Sequence, residues 1–146
     1  MSRVSTVADI LQGKQRDVLQ IGGDASVLDA VKAMVEANVG SLLVTDGDGI
    51  AGIVTERDYL RRAALAERAD AATPVREIMS APVICVTPET SIDECMALMT
   101  ERRIRHVPVV DGGALVGMIS IGDLVKFQST QQSVQIKYLT DYITAR

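Results

Sequence analysis

From Val18 to Arg61 the chain repeats itself without a gap, at an offset of 65 residues, over Val83 to Lys126. Only nine of the 44 aligned pairs are identical, yet apolar positions, helix caps and turn residues coincide, so register rather than identity has been kept. A chain written this way holds two copies of one supersecondary unit, each too small to bury a substantial core unless the halves share it. The most informative stretch in each copy is Gly52-Ile53-Val54-Thr55-Glu56-Arg57-Asp58 and its counterpart Gly117-Met118-Ile119-Ser120-Ile121-Gly122-Asp123. An apolar strand there reaches a hydroxyl residue, and an aspartate follows three positions later, as where a strand hands over to a helix N-terminus. Such a turn can hold a ligand.

The surrounding pattern predicts β-α-β-β-α for each half, an α/β fold. Val18 to Ile21 and Val83 to Val86 read as short apolar strands. Ser26-Val27-Leu28-Asp29 and Ser91-Ile92-Asp93-Glu94 each place a Ser cap three residues before an acid, which opens a helix. Val27, Ala30, Val31, Met34 and Val35 form an apolar stripe at helical spacing, repeated by Ile92, Cys95, Met96 and Met99, so the methionines read as core filler. Gly40 to Val44 and Arg105 to Val110 read as strands that run into Asp46-Gly47 and Asp111-Gly112, hairpin turns whose return strands are Ile50 to Val54 and Leu115 to Ile119. Helices then begin near Thr55 and Ser120.

Outside the repeats, Thr6 to Asp9 reads as a capping box opening a short helix through Leu11, and Thr73 to Met79 as a similar turn with Pro74 at its first position; both look like preludes to the repeat that follows. Ala63 to Ala72 reads as a helical connector. The expected divisions are residues 1–72 for the first repeat with its connector, 73–128 for the second, and 129–146 for a C-terminal amphipathic helix with Val134, Tyr138 and Tyr142 on one face.

Composition narrows the function. A formal net charge of -4 speaks against a phosphate-tracking surface, so DNA and RNA are poor partners. No apolar run approaches the ~18 residues of a membrane span and no signal pattern opens the chain, which predicts a soluble, cytoplasmic protein. With 3 % aromatics and no Trp, the core must be aliphatic. Cys85 and Cys95 lie in apolar contexts without C-x-x-C spacing, and read as two buried, reduced thiols. The single His, His106, rules out a multi-His metal centre or a Ser-His-Asp relay, and no Walker-type loop is present, so neither a metal site nor a catalytic residue is expected and the chain does not read as an enzyme.

The duplicated unit, the Asp-Gly hairpins and the doubled Gly/hydroxyl/Asp turn resemble a tandem pair of CBS (cystathionine β-synthase-type) domains from about Thr6 to Lys126. The resemblance implies two repeats packed about a pseudo-twofold axis, here with an extra C-terminal helix. It implies clefts for adenosine-containing ligands such as AMP, ADP, ATP, NAD or S-adenosylmethionine, and a homodimer formed through helices of both repeats. With no catalytic or membrane domain appended, the chain resembles a stand-alone bacterial-type sensor acting in trans on an unknown regulated protein.

On that resemblance Thr55 with Asp58, and Ser120 with Asp123, would clamp the ribose, whose vicinal hydroxyls match the two oxygens of a carboxylate. The same residues are also helix-capping signatures, and both roles remain open. An apolar adenine slot would draw on Val18, Leu19, Gln20, Ile21, Gly40 and Ser41, and on Val83, Ile84, Cys85, Val86 and Pro108. Arg105 and His106 stand where the first half has Gly40 and Ser41, so the two sites cannot be equivalent. In related pairs such basic residues reach the phosphate of a nucleotide held by the other repeat, which pairs Arg105 and His106 with Thr55 and Asp58. Arg57, Lys14 and Arg16 are further phosphate candidates, or else solvated surface cations.

Overall fold

The computed structural model describes residues 4–13, 18–47, 49–65 and 69–130. The chain separates into a first-repeat unit of residues 17–84 and a second-repeat unit that joins residues 1–16 to 85–146.

In the first-repeat unit β1 (Gln20–Gly22) lies parallel to β2 (Ser41–Asp46), which pairs antiparallel with β3 (Gly49–Thr55). The hairpin turn is made by Gly47, at φ 62, a conformation that glycine adopts freely. Helix α2 (Val27–Ala37) starts where the Ser26 hydroxyl accepts the Asp29 amide at 3.0 Å, and ends at Asn38 in the left-handed region. Ala30 and Met34 of α2 meet Leu42, Val44 and Val54 of the sheet in one aliphatic core, while Val31 is only partly buried and Val35 is exposed. The predicted stripe thus reaches the surface at its far edge. Helix α3 (Glu56–Leu65) follows β3 directly.

Two short 3-10 turns, Asp70–Ala72 and Val75–Glu77, close this unit. Pro74 caps the second of them rather than opening an α-helix as its first residue. Val75, fully buried, joins the same core. Its amide donates to the Ala25 carbonyl at 2.7 Å, and the Val27 amide donates to the Thr73 carbonyl at 2.8 Å, fastening the turn to the start of α2. Of the connector Ala63 to Ala72, α3 covers the start and a 3-10 turn the end; residues 66–68 lie outside the described residues.

The second-repeat unit contains α1 (Val7–Gln12), α4 (Ile92–Arg102), the hairpin β4 (His106–Asp111) with β5 (Ala114–Ser120), and α5 (Ile121–Thr130). Val7 and Ile10 of α1 are buried with Ile92, Cys95, Met99, Val107, Val109, Ile119 and Leu124. The Val7 amide donates to the Thr90 carbonyl at 2.8 Å and the Ile92 amide to the Ser5 carbonyl at 3.0 Å. Each prelude therefore packs in space on the repeat that it does not immediately precede in the chain: α1 on the second, residues 73–80 on the first. The strand expected at Val83 to Val86 is reduced to a single parallel bridge, Val86 to Val109. Cys85 is exposed, contrary to the expectation of two buried thiols, and Cys95 is buried. No described helix is long and apolar enough to cross a membrane. The stripe of Val134, Tyr138 and Tyr142, like the rest of 131–146, falls outside the described residues.

Candidate functional site

Each strand-to-helix turn is knotted by its own hydroxyl and carboxylate. In the first-repeat unit the Thr55 amide donates to Asp58 Oδ2 at 2.9 Å, the Thr55 hydroxyl donates to the same oxygen at 3.1 Å, and the Asp58 amide donates to Thr55 Oγ1 at 3.2 Å. In the second-repeat unit the Ser120 amide donates to Asp123 Oδ2 at 2.8 Å and the Asp123 amide to Ser120 Oγ at 3.0 Å. These reciprocal pairs satisfy amides that an α-helix leaves without partners, and they fix the carboxylate orientation at the helix mouth. All four residues are half-buried, accessible to solvent but held.

The other oxygen of Asp58 has a partner that sequence reading missed. The Ser80 hydroxyl donates to Asp58 Oδ1 at 3.1 Å. Ser80 comes within reach because its backbone pairs with β3: the Ile53 amide donates to the Ser80 carbonyl at 3.0 Å, and the Ser80 amide to the Ile53 carbonyl at 2.8 Å. That approach explains the glycine of the motif. A Cβ on Gly52 would stand 2.8 Å from the Ser80 carbonyl oxygen and 2.6 Å from the Met79 sulfur, so a side chain there would push residues 79–80 away from the strand. At Gly117 the same position faces the Leu11 side chain of α1, at 2.5 Å. No local signal reveals Ser80, since its bond to Asp58 spans 22 residues.

The start of each helix is also tied to the residue before the neighbouring strand. The Glu56 amide donates to the Gly40 carbonyl at 3.1 Å, and the Ile121 amide to the Arg105 carbonyl at 2.8 Å. Register places Ser41 opposite Thr55 and His106 opposite Ser120. The first-repeat unit thus gathers Gly40, Ser41, Thr55, Asp58 and Ser80, and the second-repeat unit gathers Arg105, His106, Ser120 and Asp123. Arg105 is exposed and His106 half-buried; Arg57 is exposed on the first turn of α3. Arg105 and His106 lie in one unit, Thr55 and Asp58 in the other. Lys14 and Arg16 lie outside the described residues.

Of the apolar candidates, Val18 and Ile21 are half-buried while Leu19 and Gln20 are exposed, and the Leu19 carbonyl accepts the Leu43 amide at 3.0 Å. Val83 and Ile84 are half-buried and belong to the first-repeat unit, whereas Cys85 and Val86 belong to the second. Val86 and Pro108 are buried, joined by the Val86 amide to the Pro108 carbonyl at 2.9 Å, which makes them wall rather than open surface. Desolvation by the surrounding protein pushes the Cys85 thiol above its ordinary pKa although its side chain is exposed, and burial does the same to Cys95.

Comparison with known proteins accords with this geometry. The CBS domain family model matches twice, over residues 7–65 and 75–130. The mitochondrial CBS domain-containing protein CBSX3 of Arabidopsis thaliana is 38 % identical across 95 % of this chain and 72 % of its own length. A CBS-domain protein solved from Burkholderia ambifaria is 56 % identical with a TM-score of 0.84, covering 88 % of this chain and 96 % of that one. The CBS domain pair of MJ0100, solved with 5'-methylthioadenosine and S-adenosyl-L-methionine, shares the fold at 24 % identity and a TM-score of 0.77, covering 88 % of this chain and 99 % of that one. With two repeats matched over most of its length, the chain belongs to the CBS domain family.

Proposed function

We propose that this CBS pair is a regulatory module that binds an adenosine-containing nucleotide at its strand-to-helix turns and signals in trans without catalysing a reaction. AMP, ATP or NAD is the leading ligand, and S-adenosylmethionine the alternative. The observation that carries the reading is the doubled hydroxyl-carboxylate pair, each held half-exposed at a helix mouth. A carboxylate so oriented can accept both hydroxyls of a ribose, and Ser80, whose hydroxyl is a rotor, can turn from Asp58 Oδ1 as a ribose hydroxyl arrives. The MJ0100 pair, which shares the fold, was solved with adenosine compounds, and that is in keeping with the proposed ligand class. Arg105 and His106 would attract the phosphate, and binding would shift the protein between conformations of different ligand affinity. The protein would work as a homodimer through its exposed helical faces.

The complete reciprocal capping favours a second reading, a ligand-free interaction module in which the aspartates serve only the helices. Calorimetric titration separates the two. Wild type, Asp58→Asn and Asp123→Asn are titrated with AMP, ATP, NAD, S-adenosylmethionine and 2'-deoxy-AMP. Saturable binding of one ribonucleotide, weakened by either mutation and by loss of the 2'-hydroxyl, supports the sensor. Binding unaffected by both mutations would sink the ribose clamp, and no binding by wild type would leave the interaction module.

A further inference from the structure

Among the described residues, the carboxylate of Asp58 is nearly filled by its own protein. Oδ2 takes the Thr55 amide and the Thr55 hydroxyl, and Oδ1 takes the Ser80 hydroxyl at 3.1 Å. A carboxylate has about four acceptor places, so roughly one is left, on Oδ1. The vicinal hydroxyls of a ribose bring two hydrogens. Asp58 can accept both only when Ser80 gives up its place, whereas the 2'-deoxy sugar of a nucleotide, with a single hydroxyl, fits the place that is open.

Ser80 cannot simply withdraw. Its amide and carbonyl are paired with Ile53 at 2.8 and 3.0 Å, and the bare Gly52 lets residues 79–80 lie this close to β3. Rotation of its exposed side chain is the motion left to it, so the hydroxyl stays beside Oδ1 as a standing competitor. The second-repeat unit has no hydroxyl at the equivalent place. Val7 and Val75 are both fully buried, and their amides donate to the carbonyls of Thr90 and Ala25, which the 65-residue offset makes equivalent. Five residues beyond each valine stand Gln12 and Ser80. Leu11 and Met79, one residue earlier, both face the motif glycine, which fixes the equivalence. Gln12 is the last residue of α1 and offers an amide instead.

We propose that Ser80 sets the threshold and the sugar selectivity of the first-repeat site, by holding on Asp58 the place of a ribose hydroxyl until a ligand displaces it. The proposal rests on the ribose-clamp reading and deepens it: both turns carry the clamp, but the first alone carries an internal competitor. Displacement exchanges one hydroxyl-to-carboxylate bond for another, so a ribose gains from its second hydroxyl only what the lost Ser80 bond leaves. Removing the competitor returns that difference, and leaves the second-repeat site as it was.

Calorimetric titration of the full chain with AMP, ATP, NAD and S-adenosylmethionine, and with 2'-deoxy-AMP and 2'-deoxy-ATP, reads the two sites separately. In an Asp123→Asn chain, which keeps the first-repeat clamp, Ser80→Ala should lower the dissociation constant of the ribose compounds that bind by roughly three- to tenfold, and that of their 2'-deoxy forms by less than about twofold. A first site too weak to titrate in that chain should become measurable once Ser80 is replaced by alanine. Ser80→Thr, which keeps the hydroxyl, should retain the affinity of the Ser80 chain, and in an Asp58→Asn chain Ser80→Ala should change nothing. Ribose compounds bound no more tightly after Ser80→Ala would overturn the proposal, as would equal tightening of the 2'-deoxy forms, tightening by Ser80→Thr, or any change in the Asp58→Asn chain. Each of these results leaves the ribose clamp standing. A wild type that binds none of the compounds, or whose binding survives both aspartate changes, removes the clamp and the proposal with it.

Discussion

Replacing Gly52 by alanine puts the packing of residues 79–80 on β3 to a quantitative test. The added methyl meets the Ser80 carbonyl oxygen at 2.8 Å and the Met79 Sδ and Cγ at 2.6 and 2.9 Å. The carbonyl is backbone and cannot rotate away, so the segment must shift and stretch the two Ile53–Ser80 hydrogen bonds. Overpacking of this kind costs about 1–3 kcal/mol, each lost backbone bond about 1 kcal/mol, and the stiffer unfolded chain returns about 0.5–1 kcal/mol. The net is destabilisation of roughly 2–4.5 kcal/mol, or about 4–18 °C in melting temperature for a chain of this length. At the equivalent Gly117 the nearest atom is a terminal methyl of Leu11 at 2.5 Å, with its other contacts at 3.5 Å or more, so rotation of one side chain relieves the clash and the cost stays below about 1 kcal/mol. Gly22, with nothing within 4 Å, is the control. Thermal and urea denaturation followed by far-UV circular dichroism should rank Gly52→Ala well below Gly117→Ala, and Gly117→Ala at or below Gly22→Ala. Amide exchange should show lost protection at Ile53 and Ser80 only in the first variant. Equal destabilisation at the two motif glycines would refute the argument, because it would mean that the backbone contact at Gly52 does not matter.

Two further outcomes follow from the titratable groups. In the native protein a thiol reagent should modify Cys85 and spare Cys95, and the Cys85 rate should rise with pH to a point above that of an ordinary thiol, because desolvation disfavours its thiolate; equal labelling of both would contradict the burial assignment. The Tyr59 hydroxyl donates to Asp70 Oδ2 at 2.9 Å, and this bond, reinforced by the carboxylate charge, raises the phenol above its ordinary pKa of 10.0. Since the folded value is the higher one, its stabilising contribution is complete below the unfolded pKa and is lost as pH rises through the folded value. Ultraviolet titration of wild type against Tyr59→Phe should therefore remove a late-ionising phenol, and loss of an ordinary one would refute the hydrogen bond.

Local chemistry accounts for what could be read in advance. The Ser26 and Ser91 caps, the positive-φ turns at Gly47 and Gly112, and the Thr55–Asp58 and Ser120–Asp123 bonds all close within three residues, where side-chain reach and backbone geometry leave few alternatives. The exposed Val35 and Cys85 were not readable in the same way, because an apolar residue at the right spacing records a preference and not which neighbour arrives to cover it.

The sequence by itself determined the duplicated unit, its strand-helix order and the residue types at the two turns, since those follow from periodicity, capping and repetition. Tertiary structure alone decided that α1 packs on the second repeat and residues 73–80 on the first, so that Ser80 meets Asp58 and Gly52 must lack a side chain. Val7 and Val75 are similarly apolar, and nothing within their own segments distinguishes one hydrophobic face from the other. The choice is made only when the whole chain compares how each segment fills the remaining space.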